Sequence, residues 1–214
     1  MTDELRLVSQ LSCASLVDAM GRIHKHRAHI LALASPDPTR TLFGPAVTVA
    51  FRPYRDDLPQ TQLGFGGLFH QAITDPPEGK VLVLSSGGYP DASHGGGTKL
   101  SRLDNHNMAG VLADGRLRDF TQLAGYGFAT WCRGQATHWG GGTVMPFAAN
   151  IAVEVGGACI VPGDYVYADA SGAVVVPAAS LRQVIEEAAR IEADDDRSIE
   201  QIRDEDPERM RHGG

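Results

Sequence analysis

The sequence predicts a mixed α/β domain with a β-rich second half. Three observations carry this reading. Two apolar runs, Val81-Leu82-Val83-Leu84 and Gly110-Val111-Leu112-Ala113, suit strands buried on both faces. A glycine-rich loop and a helical stretch lie between them, the order of a right-handed parallel crossover. In the second half, short apolar runs alternate with Gly and Asp turns.

Residues 3–34 read as helical, because Leu5, Val8 and Leu11, then Leu16, Val17 and Met20, form two apolar stripes at helical spacing. Ser12 and Ser15 are candidate caps at the break, and Gly21 is a candidate stop. Pro36 and Pro38 mark a loop. Val47–Phe51 is a β-branched strand bounded by Pro45 and Pro53. Residues 62–73 read as a glycine-rich helix, and 98–107 as the crossover helix. Further strands are expected at Phe128–Cys132, Ala152–Val155, Cys159–Val161, Tyr165–Ala168 and Ala173–Val176, with a last helix from Ala178. Residues 1–185 are expected to form one domain and 186–214 an acidic helix and tail.

The chain has 214 residues, 19 basic and 26 acidic, with a net charge of −7. A domain of this size buries about 70% of its unfolded surface and needs no disulfides. No run approaches the roughly 18 apolar residues of a membrane span, and the polar N-terminus is not a secretory signal. The acidic balance argues against nucleic acid as a partner. Eleven acidic and four basic residues fall between Glu186 and Arg209, so this segment holds the whole charge excess. It suits a solvated helix with a frayed end at Asp204–Glu208, or an arm docking on a neighbouring subunit. Cys13, Cys132 and Cys159, an odd count without a C-x-x-C pair, point to a reducing cytoplasm and to small buried side chains.

No P-loop, H-E-x-x-H, G-x-S-x-G or dinucleotide fingerprint is present. The histidines at 24, 26 and 29 share no helix face and lie among Lys25 and Arg27, so they read as a solvated helix end. His94, His106 and His138 read as surface or rim residues. The segment from Gly110 to Gln122 carries more. A buried strand runs into Asp114-Gly115 and then Arg116-Leu117-Arg118-Asp119, charges placed beyond a strand's carboxyl end. In extended backbone Arg118 and Asp119 point apart, one toward an anionic substrate and one toward a cation. Gly95-Gly96-Gly97 leads into Thr98, Lys99 and Leu100 at a helix start, where free N–H groups suit a carboxylate. One carboxylate without His or Cys favours a hard ion, Mg²⁺ first and Mn²⁺ second. Phe51-Arg52-Pro53-Tyr54-Arg55 is either a wall of the substrate pocket or a loop packed on the surface.

The chain resembles the family of regulator of ribonuclease activity A and the 4-hydroxy-4-methyl-2-oxoglutarate aldolases. The resemblance runs from about Leu11 to Pro177 and rests on LVDAM at 16–20, FGPAVTV at 43–49, GKVLV at 79–83, ADG at 113–115 and RD at 118–119, then VPGD at 161–164, AD at 168–169 and GAVVVP at 172–177. The family pattern of a glycine, twenty residues and Arg-Asp is matched by Gly97, Arg118 and Asp119. Its final acid is replaced by Gln122, which brings no charge, and Thr98 stands where aldolases often have Glu. The resemblance implies a swivelling β/β/α domain, RraA-like, of mixed sheets with flanking helices. It implies homotrimers or hexamers with sites between subunits. It assigns the pyruvate portion of the substrate to Arg118 and a divalent metal to Asp119. A neighbour's Glu192 or Asp195 would contribute a carboxylate. The implied activity is a metal-dependent carbon–carbon lyase on a 2-oxo acid, aldolase or oxaloacetate decarboxylase, working through an enolate. The alternatives are a non-catalytic regulator that binds a ribonuclease or helicase, and a specialised lyase or isomerase on another oxo-acid.

Overall fold

The computed structural model describes residues 7–8, 10–58, 63–73, 76–205 and 211. In chain order the elements are α1 (Cys13–Ile23), β1 (His29–Ile30), β2 (Leu42–Pro53), α2 (Gly64–Ile73), β3 (Val81–Ser85), β4 (Ser93–Gly95) and α3 (Gly97–Asn105). Then come β5 (Gly110–Ala113), β6 (Arg116–Leu117), α4 (Phe120–Ala124), β7 (Ala129–Trp131) and β8 (Val144–Ala149). The chain continues with β9 (Val153–Val155), β10 (Ala158–Ile160), β11 (Tyr165–Asp169), β12 (Gly172–Val176) and α5 (Leu181–Arg203).

The main sheet is ordered β1-β12-β11-β2-β3-β5-β7, with β8 also paired to β2. β2, β3, β5 and β7 run parallel, while β11, β12, β1 and β8 join antiparallel. The parallel strands are buried on both faces. Val47, Val49, Leu82, Leu84 and Val111 pack with α2, α3 and Leu123 of α4. Their alternates Ala46, Val81, Val83 and Leu112 pack with Trp131 and the β9–β10 hairpin. A third cluster places α1 and α5 on Tyr167, Val174 and Val176. The predicted mixed sheet with flanking helices is present.

Several local expectations change. Among the described residues, the long helix of this region runs only from Cys13 to Ile23, and Leu5 lies outside them. Past Ile23 the apolar periodicity stops, His24 turns to extended backbone as the C-cap, and His29 pairs with Val174. Gly21 is inside the helix rather than at its stop. Ser12 and Ser15 do form a reciprocal cap: Ser15 N donates to Ser12 Oγ and Ser12 N to Ser15 Oγ, each at 3.2 Å. β2 is longer than the bounding prolines suggested. Pro45 already pairs with β11, and the pairing with β3 starts one residue later, at Ala46. The strand β8 was not foreseen, since Pro146 argues against one. That proline sits at a bulge, where Phe51 faces Pro146 and Ala50 faces Ala148. Position 186, where the acidic segment begins, lies inside α5, whose Val184, Ile185, Ala188 and Ile191 are buried. Of the expected frayed end, residues 206–208 lie outside the described residues.

Candidate active site

The carboxyl ends of β3 and β5 deliver two loops to one edge of the sheet. Those loops form a second, small parallel ribbon in which Ser93 of β4 faces Arg116 of β6 and Gly95 faces Leu117. Arg118 N donates to Gly95 O at 2.9 Å. Residues 93–99 are thereby laid against 116–119, and a cleft of about 200 Å³ opens between them. Arg118, Asp119, Thr98, Lys99, Ser93 and Trp139 are among its walls.

Asp119 does not continue an extended strand. It adopts φ 62°, ψ 44°, a left-handed conformation that Asp tolerates better than most residues. This turn corrects the expectation that Arg118 and Asp119 point apart: both line the same cleft. The Asp119 carboxylate swings back to the start of α3, where Gly97 N donates to its Oδ2 at 3.1 Å. No ion pair engages Arg118 among the described residues.

The glycines provide room. Gly96 has φ −166°, which any residue adopts, but a Cβ there would stand 2.6 Å from Asp119 Oδ2 and 3.0 Å from Arg118 Cβ. A Cβ on Gly97 would stand 2.0 Å from Gln122 Oε1. The expected cradle of four amides is reduced. Gly97 N is committed to Asp119, and Leu100 N donates to Gly96 O at 3.0 Å. Leu100 itself belongs to the core. Thr98 and Lys99, in the first turn of α3, have amides without an intrahelical acceptor. Lys99 Nζ lies 5.3 Å from the Phe65 ring centroid, and burial, followed by the Arg102 charge, pulls its pKa below the usual lysine range.

Other predicted residues are placed elsewhere. Asp114 braces two loops, accepting from Ser86 N at 2.6 Å and Gly156 N at 3.4 Å, and burial raises its pKa. Gln122 Nε2 donates to Tyr126 Oη at 2.8 Å, and Tyr126 Oη donates to Gly97 O at 3.1 Å, so this side chain props α3. Glu192 is occupied within its own chain, accepting from Ser12 N at 3.2 Å and Ser12 Oγ at 2.8 Å. Asp195 is exposed on α5. His94 is 1% exposed rather than a rim residue, packed edge-on against Phe51 at 4.7 Å. Cys159 is exposed, unlike Cys13 and Cys132.

Trp139 was the main omission. Its indole lies on Gly141, where a Cβ would stand 2.0 Å from the ring, and Gly140 approaches Ser93 O just as closely. A tryptophan followed by three glycines was the available signal. Trp139, Ser93 and Lys99 also border a second chamber of about 370 Å³. Phe51 and Tyr54 line that chamber, whereas Arg52 lies over the Phe147 ring and Arg55 pairs with Asp57. The 51–55 segment is thus partly pocket wall.

Among the described residues, no three His, Cys, Asp or Glu side chains are grouped to hold a metal. Asp119 is the single carboxylate among the described residues of the cleft wall. One carboxylate oxygen at an open cleft suits a hard divalent ion that retains waters and takes its other ligands from substrate. The donor set fits such an ion and does not fit a closed structural site. No helix among the described residues is long and apolar enough to cross a membrane.

Known proteins share this arrangement of elements. RraAS2 of Streptomyces coelicolor, described as "an unusual member of the RNase ES inhibitor RraA protein family", superposes with a TM-score of 0.81 at 26% identity, covering 94% of this chain and 98% of that one. A Halalkalibacterium halodurans protein named "Putative 4-hydroxy-4-methyl-2-oxoglutarate aldolase" is 28% identical over 59% of this chain and 60% of its own length. The protein DlpA of Legionella pneumophila is 24% identical over 73% of this chain but only 25% of its own length. The chain thus spans between a quarter and three-fifths of these two relatives. Residues 13–175 match the RraA-like family, described as Aldolase/RraA, and the chain belongs to that family.

Proposed function

We propose that the chain is a divalent-metal-dependent carbon–carbon lyase acting on a 2-oxo acid, as a retro-aldolase, an oxaloacetate decarboxylase or both. The convergence of Arg118, Asp119 and the first-turn amides of α3 on one cleft carries this reading. Relatives named as aldolases support it. Asp119 would hold Mg²⁺ or Mn²⁺, which when bound supplies Lewis-acid polarisation of the keto oxygen. Gly97 N–H fixes the carboxylate that does so, leaving its other oxygen free of that bond. The Thr98 and Lys99 amides receive the substrate carboxylate at the positive end of α3. Arg118 faces the oxygen on which negative charge grows as the bond breaks, and stabilises the enolate. The same charge develops in retro-aldol cleavage and in decarboxylation, so one constellation serves both. Following the family, the reading includes a homotrimer or hexamer in the cytoplasm.

Pyruvate release from 4-hydroxy-2-oxo acids and oxaloacetate, with and without chelator, tests the proposal. Chelator should stop the reaction, and Arg118→Ala should lower kcat/KM by roughly 10²–10³-fold with the fold intact. Turnover at wild-type rate in Arg118→Ala would overturn it. A second reading is supported by the neutral Gln122, committed to Tyr126, and by the likeness to RraAS2: a regulator that binds a ribonuclease or helicase without catalysis. Calorimetric titration of Mg²⁺ with oxalate separates the two. Heat of binding supports the lyase, and its absence supports the regulator.

A further inference from the structure

The cleft does not end at the residues that would hold a 2-oxo acid head. Ser93, Lys99 and Trp139 border both it and the second chamber, so the two spaces adjoin. The second is the larger, about 370 Å³, within the roughly 300–1,000 Å³ of small-molecule sites. Resting on the lyase reading above, we infer that this chamber selects 4-hydroxy-2-oxo acids with an aryl or bulky alkyl group at C4, not a second carboxylate.

The walls carry the inference. Phe51, Tyr54, Phe65, Val144, Met145 and Pro146 present rings and aliphatic groups. Two polar side-chain atoms among the described walls are committed to the backbone. Ser93 Oγ donates to Gly95 O at 2.9 Å. His94 Nε2 lies 3.2 Å from Ser86 O, its ring is held against Phe51, its Nδ1 is buried without a hydrogen-bond partner, and burial lowers its pKa. Lys99 is the one cation among the described walls; it borders the cleft as well, and its Nζ lies 5.3 Å from the Phe65 ring centroid. A carboxylate carried deeper would exchange water for aromatic and aliphatic neighbours, an unfavourable transfer for a charge. A phenyl or branched alkyl group gains from the same move.

The reaction balances without a further reagent. The proton leaves the C4 hydroxyl, its electron pair forms the aldehyde carbonyl, and the C3–C4 bond breaks. Those bond electrons give the pyruvate enolate, which takes a proton at C3. The products are pyruvate and an aromatic or aliphatic aldehyde in equal amounts.

Binding of two inert probes, 2-oxo-4-phenylbutanoate and 2-oxoglutarate, tests the inference, with oxalate reporting the head site alone. Trp139 is 61% exposed on the shared wall while Trp131 is 1% exposed, so indole fluorescence reads occupancy. With Mg²⁺ present, the phenyl compound should bind at least about tenfold tighter than the dicarboxylate, the ratio expected from burying one ring. Tyr54 is 36% exposed, so Tyr54→Arg should fold and shift that ratio toward 2-oxoglutarate. The wild-type protein should cleave 4-hydroxy-2-oxo-4-phenylbutanoate to equal amounts of pyruvate and benzaldehyde. If oxalate binds but 2-oxoglutarate equals or exceeds the phenyl compound, the inference is overturned and the lyase reading stands. If oxalate does not bind, the lyase reading falls and takes the inference with it.

Discussion

Asp119 holds an uncommon backbone conformation and a carboxylate aimed at a helix start, and the two are linked. Left-handed backbone at a non-glycine residue is found where surrounding structure enforces it, often at functional sites. Asp119→Asn keeps both the conformation and an acceptor for Gly97 N–H, and removes only the charge. That variant should melt within a few degrees of wild type, while calorimetry with Mg²⁺ and oxalate loses its heat. Asp119→Val adds β-branching at positive φ and should destabilise by about 1–3 kcal/mol in urea unfolding. Gly96 gives a complementary test. Alanine there strains no backbone, but its Cβ would meet Asp119 Oδ2 at 2.6 Å. Displacing that oxygen by about 1 Å should lower pyruvate release roughly 10²-fold with little change in Tm. Equal loss of Tm and activity would assign Gly96 to packing instead.

Between elements, the contact of α1 with α5 has a defined polar lock. Glu192 accepts from both the backbone and the hydroxyl of Ser12, the N-cap of α1. Hydrogen bonds from Ser15 and Ser12 hold its carboxyl below the usual carboxylate range. A carboxylate with a depressed folded pKa stabilises above its unfolded value and loses that contribution as pH falls through the folded one. Stability should therefore drop as pH falls below the ordinary glutamate range, and Glu192→Gln should flatten that limb of urea midpoint against pH. An unchanged limb would show that the lock adds nothing. The same pair explains a limit of sequence reading. Ser12 was legible as a cap from the residues that follow it. Its partner, 180 residues away, was not, because nothing in the local pattern around Ser12 says which distant side chain meets a helix start. β3 and β5 were legible because strands buried on both faces need uninterrupted apolar runs. β8 was not, because its proline is tolerated beside a bulge in β8 itself that exists only in the pairing with β2.

Across the whole molecule, the candidate site divides into a legible half and a hidden half. Gly97, Arg118 and Asp119 are near in sequence, and their spacing survives as contact because one crossover separates them. The second chamber draws on β2, α2, β8 and the Trp139 segment, brought together only when β8 pairs with β2. The layered core also makes a prediction about how the chain opens. Cys13 lies under the α1–α5 layer, its Sγ donating to Gly172 O at 3.3 Å, and burial pushes it up to about 12. Cys132 lies in the cluster of α2, α3 and α4, and burial pushes it up to about 11. The thiolate is the reactive form, so both are inert while folded, whereas Cys159 is exposed. Native protein at neutral pH should thus react with a disulfide reagent at one thiol per chain. The α1–α5 layer covers only the β11–β12 side, and beyond Ile191 most of α5 is exposed, so it should open ahead of the sheet. In low urea Cys13 should be labelled before Cys132, as mass spectrometry of the modified peptides would read. Labelling of both at one rate would show instead that the layers unfold as a single cooperative unit.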